Sequence, residues 1–451
     1  MQELVARLGY VPRTCVWELT RACNLDCGHC GSMAGRPRPA ELTTERALAL
    51  VDELAALGTE LVTFSGGEPT LRRDWPRLGR RATDLGLAVN LVTNGQTAPD
   101  ALVRGARAAG LANVAVSLDG LREQHDALRG PGAFERACRT VAELASAGLW
   151  VDVMFTVLRT NRRELAAVHA LAGRLGARRL RVQLGKPMGN QSERDDLTLR
   201  PADLLWLLPA LGRLARAGGP EVRIGDSVGY FSAEERELRG KHCAQGHWTG
   251  CYAGCQAVGI QSDGGVKGCL SLQPRAGEAD PFVEGNVSER SLRAIWEQPG
   301  AFAYNRDFDP DELAGACRRC SHAVLCRGGA RCVAHAYTGS LRHDPMCYLA
   351  VARARRAERA TFPASAAAAA VLALAGCGGK AVIDGGGGAS GAGGDTGTTT
   401  TSSSSTIDCA TVCCGCDYGV PPPPEAFQAC CCEGVCCECD YGTPPPPGCC
   451  P

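Results

Sequence analysis

The sequence lacks a charge imbalance: 48 Lys and Arg stand against 48 Asp and Glu over 451 residues. That leaves no electrostatic footprint for nucleic acid or an anionic membrane surface, and no nucleic-acid partner is expected. A long apolar run is missing too. The best stretch, Ala364 to Ala375, is about half of the roughly 20 residues that cross a bilayer, so no transmembrane span is expected. No basic-then-apolar signal opens the chain, which points to a cytoplasmic start. With 45% hydrophobic residues, wholesale disorder is excluded, and the length suits two or three domains. Cysteine is what the chain has in excess, 27 in all. Fourteen precede residue 350, one is Cys377, and twelve crowd between Cys409 and Cys450. Two separate cysteine chemistries are therefore expected.

From residue 14 to about 226, short apolar runs alternate with longer amphipathic ones. Val16 to Leu19, Leu61 to Phe64, Ala88 to Val92, Asn113 to Ser117, Val151 to Val157 and Leu180 to Leu184 have strand length. Glu45 to Leu57, Ala133 to Ala147 and Asn161 to Leu175 have helical periodicity and end at Gly58, Gly148 and Gly176. Six strand-helix units in series require parallel pairing with right-handed crossovers. A doubly wound sheet and an open barrel both satisfy that pattern. Beyond it the composition marks four more segments: a loop-rich, Cys-rich region over 227–350, a basic then apolar segment over 351–377, a Gly/Ser/Thr linker over 378–408, and a Cys/Pro-rich peptide over 409–451. In the second of these segments' neighbour, the loop-rich region, metal is a better staple than disulfide for a cytoplasmic chain. The last carries a repeat of period 23, Cys413-Cys414-Gly415-Cys416-Asp417-Tyr418-Gly419 and Cys436-Cys437-Glu438-Cys439-Asp440-Tyr441-Gly442, each followed after one residue by four prolines.

The first strand runs into Cys23, Cys27 and Cys30, three thiols within eight residues. Structural zinc and ordinary ferredoxin clusters take four ligands, so a trio either leaves one iron of a four-iron cluster open or is completed by a distant cysteine. The second strand ends in Ser65-Gly66-Gly67-Glu68-Pro69-Thr70. Glycines permit close backbone approach, and a carboxylate accepts from an ammonium group. Together, the Cys-x3-Cys-x2-Cys spacing and a Gly-Gly-Glu-Pro turn after the second strand resemble the radical S-adenosylmethionine (SAM) family. So do Thr93-Asn94-Gly95 after the third strand and Ser117-Leu118-Asp119-Gly120 after the fourth, with His125, Arg129 and Phe134 following.

The resemblance implies a partial (β/α)6 TIM-type barrel, α/β in class. It implies a 4Fe-4S cluster on Cys23, Cys27 and Cys30, SAM held by Gly66, Gly67, Glu68 and Pro69, and Ser117 near the ribose or carboxylate of SAM. His29 stands where the family often has an aromatic on adenine; the competing reading is a solvent-facing histidine. Asn94, Asp119, His125 and Arg129 are open between ligand-binding and structural roles. Cys15 and Cys138 read as buried small hydrophobes.

A second field, Cys251-x12-Gly264-x4-Cys269, then Cys317-x2-Cys320-x5-Cys326, then Cys347, resembles the SPASM extension of radical SAM enzymes, which holds up to two auxiliary 4Fe-4S clusters. By that resemblance Cys317, Cys320, Cys326 and Cys347 ligate one. The other draws on Cys251 and Cys269 with two of Cys243, Cys255 and Cys332, because the family's next cysteine position is Ala330 here. Zinc is the alternative for such Cys-x2-Cys pairs. Leu270 stands where sulfatase-maturating relatives have an aspartate, which counts against formylglycine formation.

What the resemblance implies chemically is reductive cleavage of SAM to a 5′-deoxyadenosyl radical and oxidative modification of a peptide or protein, with an electron donor as a further partner. The Cys-rich tail, residues 407–451, resembles a precursor peptide fused to its maturase; an appendage that binds metal without being modified is the other reading. A non-catalytic iron-sulfur or zinc protein is the rival for the whole chain. Leu374-Ala375-Gly376-Cys377 resembles a lipobox, which implies lipid anchoring or export of the tail, against an alanine-rich linker.

Overall fold

The computed structural model describes residues 9–225, 227–240, 246–274 and 279–361, and two short strands in the tail. The chain divides into a unit spanning Met1–Phe362 and a second spanning Pro363–Pro451. No break falls near residue 226: the strand-helix region and the cysteine-rich region share one core. In the second unit, Cys431–Cys432 pairs antiparallel with Val435–Cys436; Cys243, Cys377 and the rest of the tail lie outside the described residues.

Seven strands form the parallel heart of the first unit: β1 Thr14–Thr20, β2 Leu61–Gly66, β3 Ala88–Thr93, β4 Asn113–Ser117, β5 Val151–Val157, β6 Arg179–Leu184 and β7 Glu221–Ile224. They pair strictly in sequence order. A doubly wound sheet reverses its strand order at a switch point; this one never does, so the arrangement is the open, partial TIM-type barrel. β7 is a strand that the apolar-run reading missed, because Glu221-Val222-Arg223-Ile224 alternates rather than runs. Three strands of the cysteine-rich region extend the other edge: β8 Ala257–Ile260 lies parallel to β1, and β9 Gly265–Lys267 and β10 Gly285–Asn286 follow antiparallel. The SPASM-like region is thus stitched to the barrel by backbone hydrogen bonds, which covers an edge that β1 would otherwise expose.

The helices cover the sheet for the usual reason. The Thr43 side chain accepts from Arg46 N and starts Thr44–Ala56, which buries Ala47, Leu50, Val51 and Leu54 on one stripe. Each such leucine contributes about 1.5–3 kcal/mol by leaving water. The three helices expected from periodicity are Thr44–Ala56, Ala133–Ser146 and Leu165–Arg174, and Gly58, Gly148 and Gly176 all take positive φ just past them. Among the described residues no helix is long and apolar enough to cross a membrane.

Candidate functional site

The carboxyl ends of β1 to β6 gather the polar residues that the sequence singles out. After Thr20 the chain leaves β1 and forms the three-cysteine loop. Cys27 is buried, while Cys23 and Cys30 are partly exposed. Cys27 feels the charge of both other thiols. Burial pushes the Cys27 thiol up to about 11 against the pull of Arg129, and it raises Cys23 as well. Yet among the described residues no trio of His, Cys, Asp and Glu side chains converges closely enough for a single metal ion.

The Gly-Gly-Glu turn packs directly on this loop. Gly67 N donates to Thr20 O at 2.9 Å and Glu68 N to Ala22 O at 2.8 Å. A Cβ on Gly66 would collide with Thr20 O, and one on Gly67 with Ala22 O. Both glycines are thus required by the approach of the turn to the chain entering Cys23. The fully buried Glu68 carboxylate accepts from four donors of the protein itself: Thr70 N, Thr70 Oγ1 at 2.6 Å, Thr93 Oγ1 at 2.9 Å and Asn94 N at 2.7 Å. Burial still leaves its pKa raised. Glu68 therefore fastens the ends of β2 and β3 together, and it caps the turn Pro69–Leu71. Asn94 carries the link onward, its Nδ2 donating to Asn24 Oδ1 at 2.8 Å and approaching Cys23 Sγ at 3.8 Å.

From β4 comes a second brace. Ser117 ends that strand, buried at 7% exposure. Two residues on, Asp119 Oδ2 meets His29 Nε2 at 3.0 Å and accepts from Arg129 Nε at 2.6 Å, while Oδ1 accepts from Thr156 N at 2.7 Å. Burial opposes the Asp119 charge, but Arg129 and then His29 overcome it and hold the carboxyl well below the usual range. His29 is neither solvent-facing nor free: its side chain is 6% exposed, and its buried Nδ1 has no hydrogen-bond partner in the chain. His125 accepts from Asp119 N at 3.0 Å, and burial lowers its pKa to about 4.

The segment after β6 closes over the loop. Asn190 N donates to Cys30 O at 2.9 Å and Asn190 Nδ2 to Cys27 O at 3.0 Å. From the same segment Lys186 Nζ reaches Cys332 Sγ at 3.9 Å, so one short stretch touches both cysteine fields. Neither Asn190 nor Lys186 was singled out from the sequence, although Lys186 follows the sixth apolar run as Asp119 follows the fourth.

In the second field the structure sorts the cysteines. Cys317, Cys320, Cys326 and Cys347 line one cavity of about 360 Å³ together with Tyr230 and Asp344. Burial raises the Cys317, Cys326 and Cys347 thiols, and neighbouring thiols and Asp344 add to it. Thiols raised in this way keep their protons until a metal cation displaces them, which is what ligation does. Asp344 itself, pushed up to about 7 by burial, accepts from Tyr230 OH at 2.8 Å and Met346 N at 2.8 Å. A second group forms from Cys251, Cys269 and Cys332. Cys332 hydrogen-bonds Cys269, and this contact, with Lys186 nearby, lowers Cys269 while Cys332 rises; Cys251 feels Cys269. The Cys255 sulfur has Asn305 Nδ2 at 3.7 Å, with Arg327 and Arg306 beside it. Three groups of thiols, a ligand-sized cavity and an orphaned imidazole nitrogen are what iron-sulfur clusters and a nucleoside cofactor would occupy.

Comparison with known proteins agrees with this geometry. Residues 17–172 match the radical SAM superfamily and residues 251–321 the SPASM iron-sulfur cluster-binding domain. An AdoMet-dependent heme synthase of Methanosarcina barkeri is 34% identical over 348 residues, 74% of this chain and 96% of that protein. The mycofactocin maturase MftC of Mycolicibacterium smegmatis is 34% identical, covering 74% of this chain and 82% of that protein. Among solved structures, Streptococcus suis SuiB bound to S-adenosylmethionine superposes with a TM-score of 0.60 at 17% identity, over 76% of this chain and 79% of that one. The native anSMEcpe with AdoMet and the Kp18Cys peptide gives 0.59 at 18%, over 75% and 96%. The chain belongs to the radical SAM enzymes with a SPASM extension, whose domains bind 4Fe-4S clusters and S-adenosylmethionine.

Proposed function

We propose that the protein is a radical SAM maturase acting on a peptide or protein, with Cys23, Cys27 and Cys30 as ligands of the SAM-binding cluster. The observation that carries it is the contact of the Gly66-Gly67-Glu68 turn with the backbone that enters Cys23. When bound, the cluster and SAM supply a 5′-deoxyadenosyl radical, the group that removes a hydrogen from the substrate. The chain's own residues bind and orient. Gly66, Gly67 and Pro69 offer backbone to the SAM ammonium, with Glu68 bracing them from inside, and Ser117 faces the ribose or carboxylate. Cys317, Cys320, Cys326 and Cys347 hold one auxiliary cluster. Cys251, Cys269 and Cys332 hold the other. Oxygen-sensitive clusters and an external electron donor fit the cytoplasm.

The peptide reading draws on the maturase MftC among the relatives and on SuiB and anSMEcpe, both solved with peptides. The twelve-cysteine tail is the nearest candidate, since tethering gives roughly millimolar effective concentration. A second reading, a heme-type small molecule, rests on the heme synthase matched over 96% of its length. Anaerobic reconstitution of the full chain, reduction with SAM present, and mass analysis of residues 407–451 afterwards test the proposal. Release of 5′-deoxyadenosine with a mass loss of hydrogens in the tail supports it. Release with an unchanged tail removes the self-substrate idea, and no release at full iron content removes the enzyme.

A further inference from the structure

We propose that Arg129, held in place by Asp119, sets how readily the Cys23, Cys27, Cys30 cluster takes up its electron, with His29 tying the cluster loop to the same carboxylate. The inference rests on reading those three cysteines as cluster ligands, and it concerns this chain's own residues around them.

The geometry leaves the cation little freedom. Asp119 is fully buried and fixed on its far side, where Thr156 N donates to Oδ1 at 2.7 Å and Asn161 Nδ2 to the backbone carbonyl at 2.9 Å. Its other oxygen takes Arg129 Nε at 2.6 Å and His29 Nε2 at 3.0 Å. Arg129 is 11% exposed, so solvent screens it little. The cluster loop meets the end of the same helix, Arg122–Arg129, where Gly28 N donates to Leu128 O at 3.3 Å. The cation thus closes a helix that the loop touches, and the loop's own histidine shares its counter-ion.

Reduction adds one negative charge to a cluster that already carries thiolates. A fixed cation in a poorly screened place favours the reduced state and raises the midpoint potential; a nearby anion lowers it. Removing Arg129 and removing the Asp119 charge must therefore shift the potential in opposite directions. A residue that only supported the loop would change cluster retention and leave the sign undefined.

The test is a redox titration followed by electron paramagnetic resonance on the reconstituted full chain, with iron counted in parallel. Arg129→Gln is expected to move the midpoint of the SAM-binding cluster to more negative values. Asp119→Asn is expected to move it to more positive ones and, with the His29 anchor weakened, to lose that cluster faster on gel filtration. Arg129→Lys keeps the charge and is expected to stay near wild type. The auxiliary clusters, unchanged throughout, report that the fold is intact. An unmoved midpoint in Arg129→Gln, or shifts of the same sign in both charge variants, overturns the proposal. If Arg129→Gln cannot retain the cluster, Arg129→Lys decides: a wild-type midpoint supports the electrostatic role, and loss of the cluster with auxiliary iron intact overturns it. Full iron and an unaltered signal in Cys27→Ala would instead sink the ligand reading itself.

Discussion

The two cysteine fields solve the same problem in different ways. The first takes its three thiols from one loop of eight residues and obtains rigidity from the barrel: Glu68 and Asn94 from β2 and β3, Asp119 from β4, Asn190 from beyond β6. The second takes each set from segments far apart in the chain, Cys269 with Cys332 and Cys326 with Cys347, and folds them around a cavity or a contact. On the proposed function, a loop that must admit a small molecule carries its ligands locally and is braced from outside. A site enclosed by the protein is assembled by the fold, and its ligands also hold that fold together.

This comparison breaks most sharply at the ligands. Cys27→Ala is expected to abolish 5′-deoxyadenosine release and to remove about four iron atoms per chain while the unfolding midpoint stays close to wild type. Cys326→Ala is expected to lower the unfolding midpoint, because the loop-rich region loses its staple; calorimetry and iron analysis separate the two. If Cys27→Ala unfolds the chain as readily as Cys326→Ala does, the contrast fails.

A second, nearly as large effect lies at the turn. A methyl group on Gly67 meets Ala22 O, so Gly67→Ala must push the turn off the cysteine loop. We expect loss of SAM cleavage by at least about tenfold, the equivalent of about 1.4 kcal/mol, from a variant that still retains its auxiliary iron. Within the second field, Cys332→Ala is expected to lose auxiliary iron and Cys255→Ala to keep it, since Cys332 contacts Cys269 while the Cys255 sulfur takes the Asn305 amide. Equal losses would return Cys255 to the ligand set.

Smaller effects probe the braces. Glu68→Gln sets an amide against protein donors and is expected to cost about 1–3 kcal/mol in denaturant unfolding. His125 is held neutral, its folded pKa of about 4 lying below the ordinary histidine value of 6.5. Between those values the unfolded chain binds a proton that the folded chain refuses, so its contribution is present above pH 6.5 and is lost as pH falls toward 4. The slope is about 1.4 kcal/mol per pH unit, and unfolding midpoints from pH 7 to pH 5 should show it shrink in His125→Gln.

Much of the site was legible before the fold. The three-cysteine loop, the Gly-Gly-Glu turn and the polar residues after each strand are each short contiguous motifs, and their order along the chain carries the family resemblance. What could not be read were contacts between distant residues. His29 is open in the sequence between packing on adenine and facing solvent; the fold removes the second reading by burying it against Asp119, 90 positions away. Cys255 and Cys332 looked equivalent by composition, and only the folded chain turns one toward Asn305 and the other toward Cys269. Likewise the pairing of β8 with β1 joins residues more than 240 positions apart and only the folded chain shows it.

The sequence by itself determined the period of the strands and helices, the parallel pairing of the sheet, and the spacing of the three thiols and of the Gly-Gly-Glu turn. Those are consequences of backbone geometry and local spacing. The tertiary structure decided which distant charges share a buried site: Asp119 with both His29 and Arg129, Lys186 with Cys332, Asp344 with a cavity of four sulfurs. Burial amplifies such pairings because solvent no longer screens them, and burial is a property of the folded chain alone.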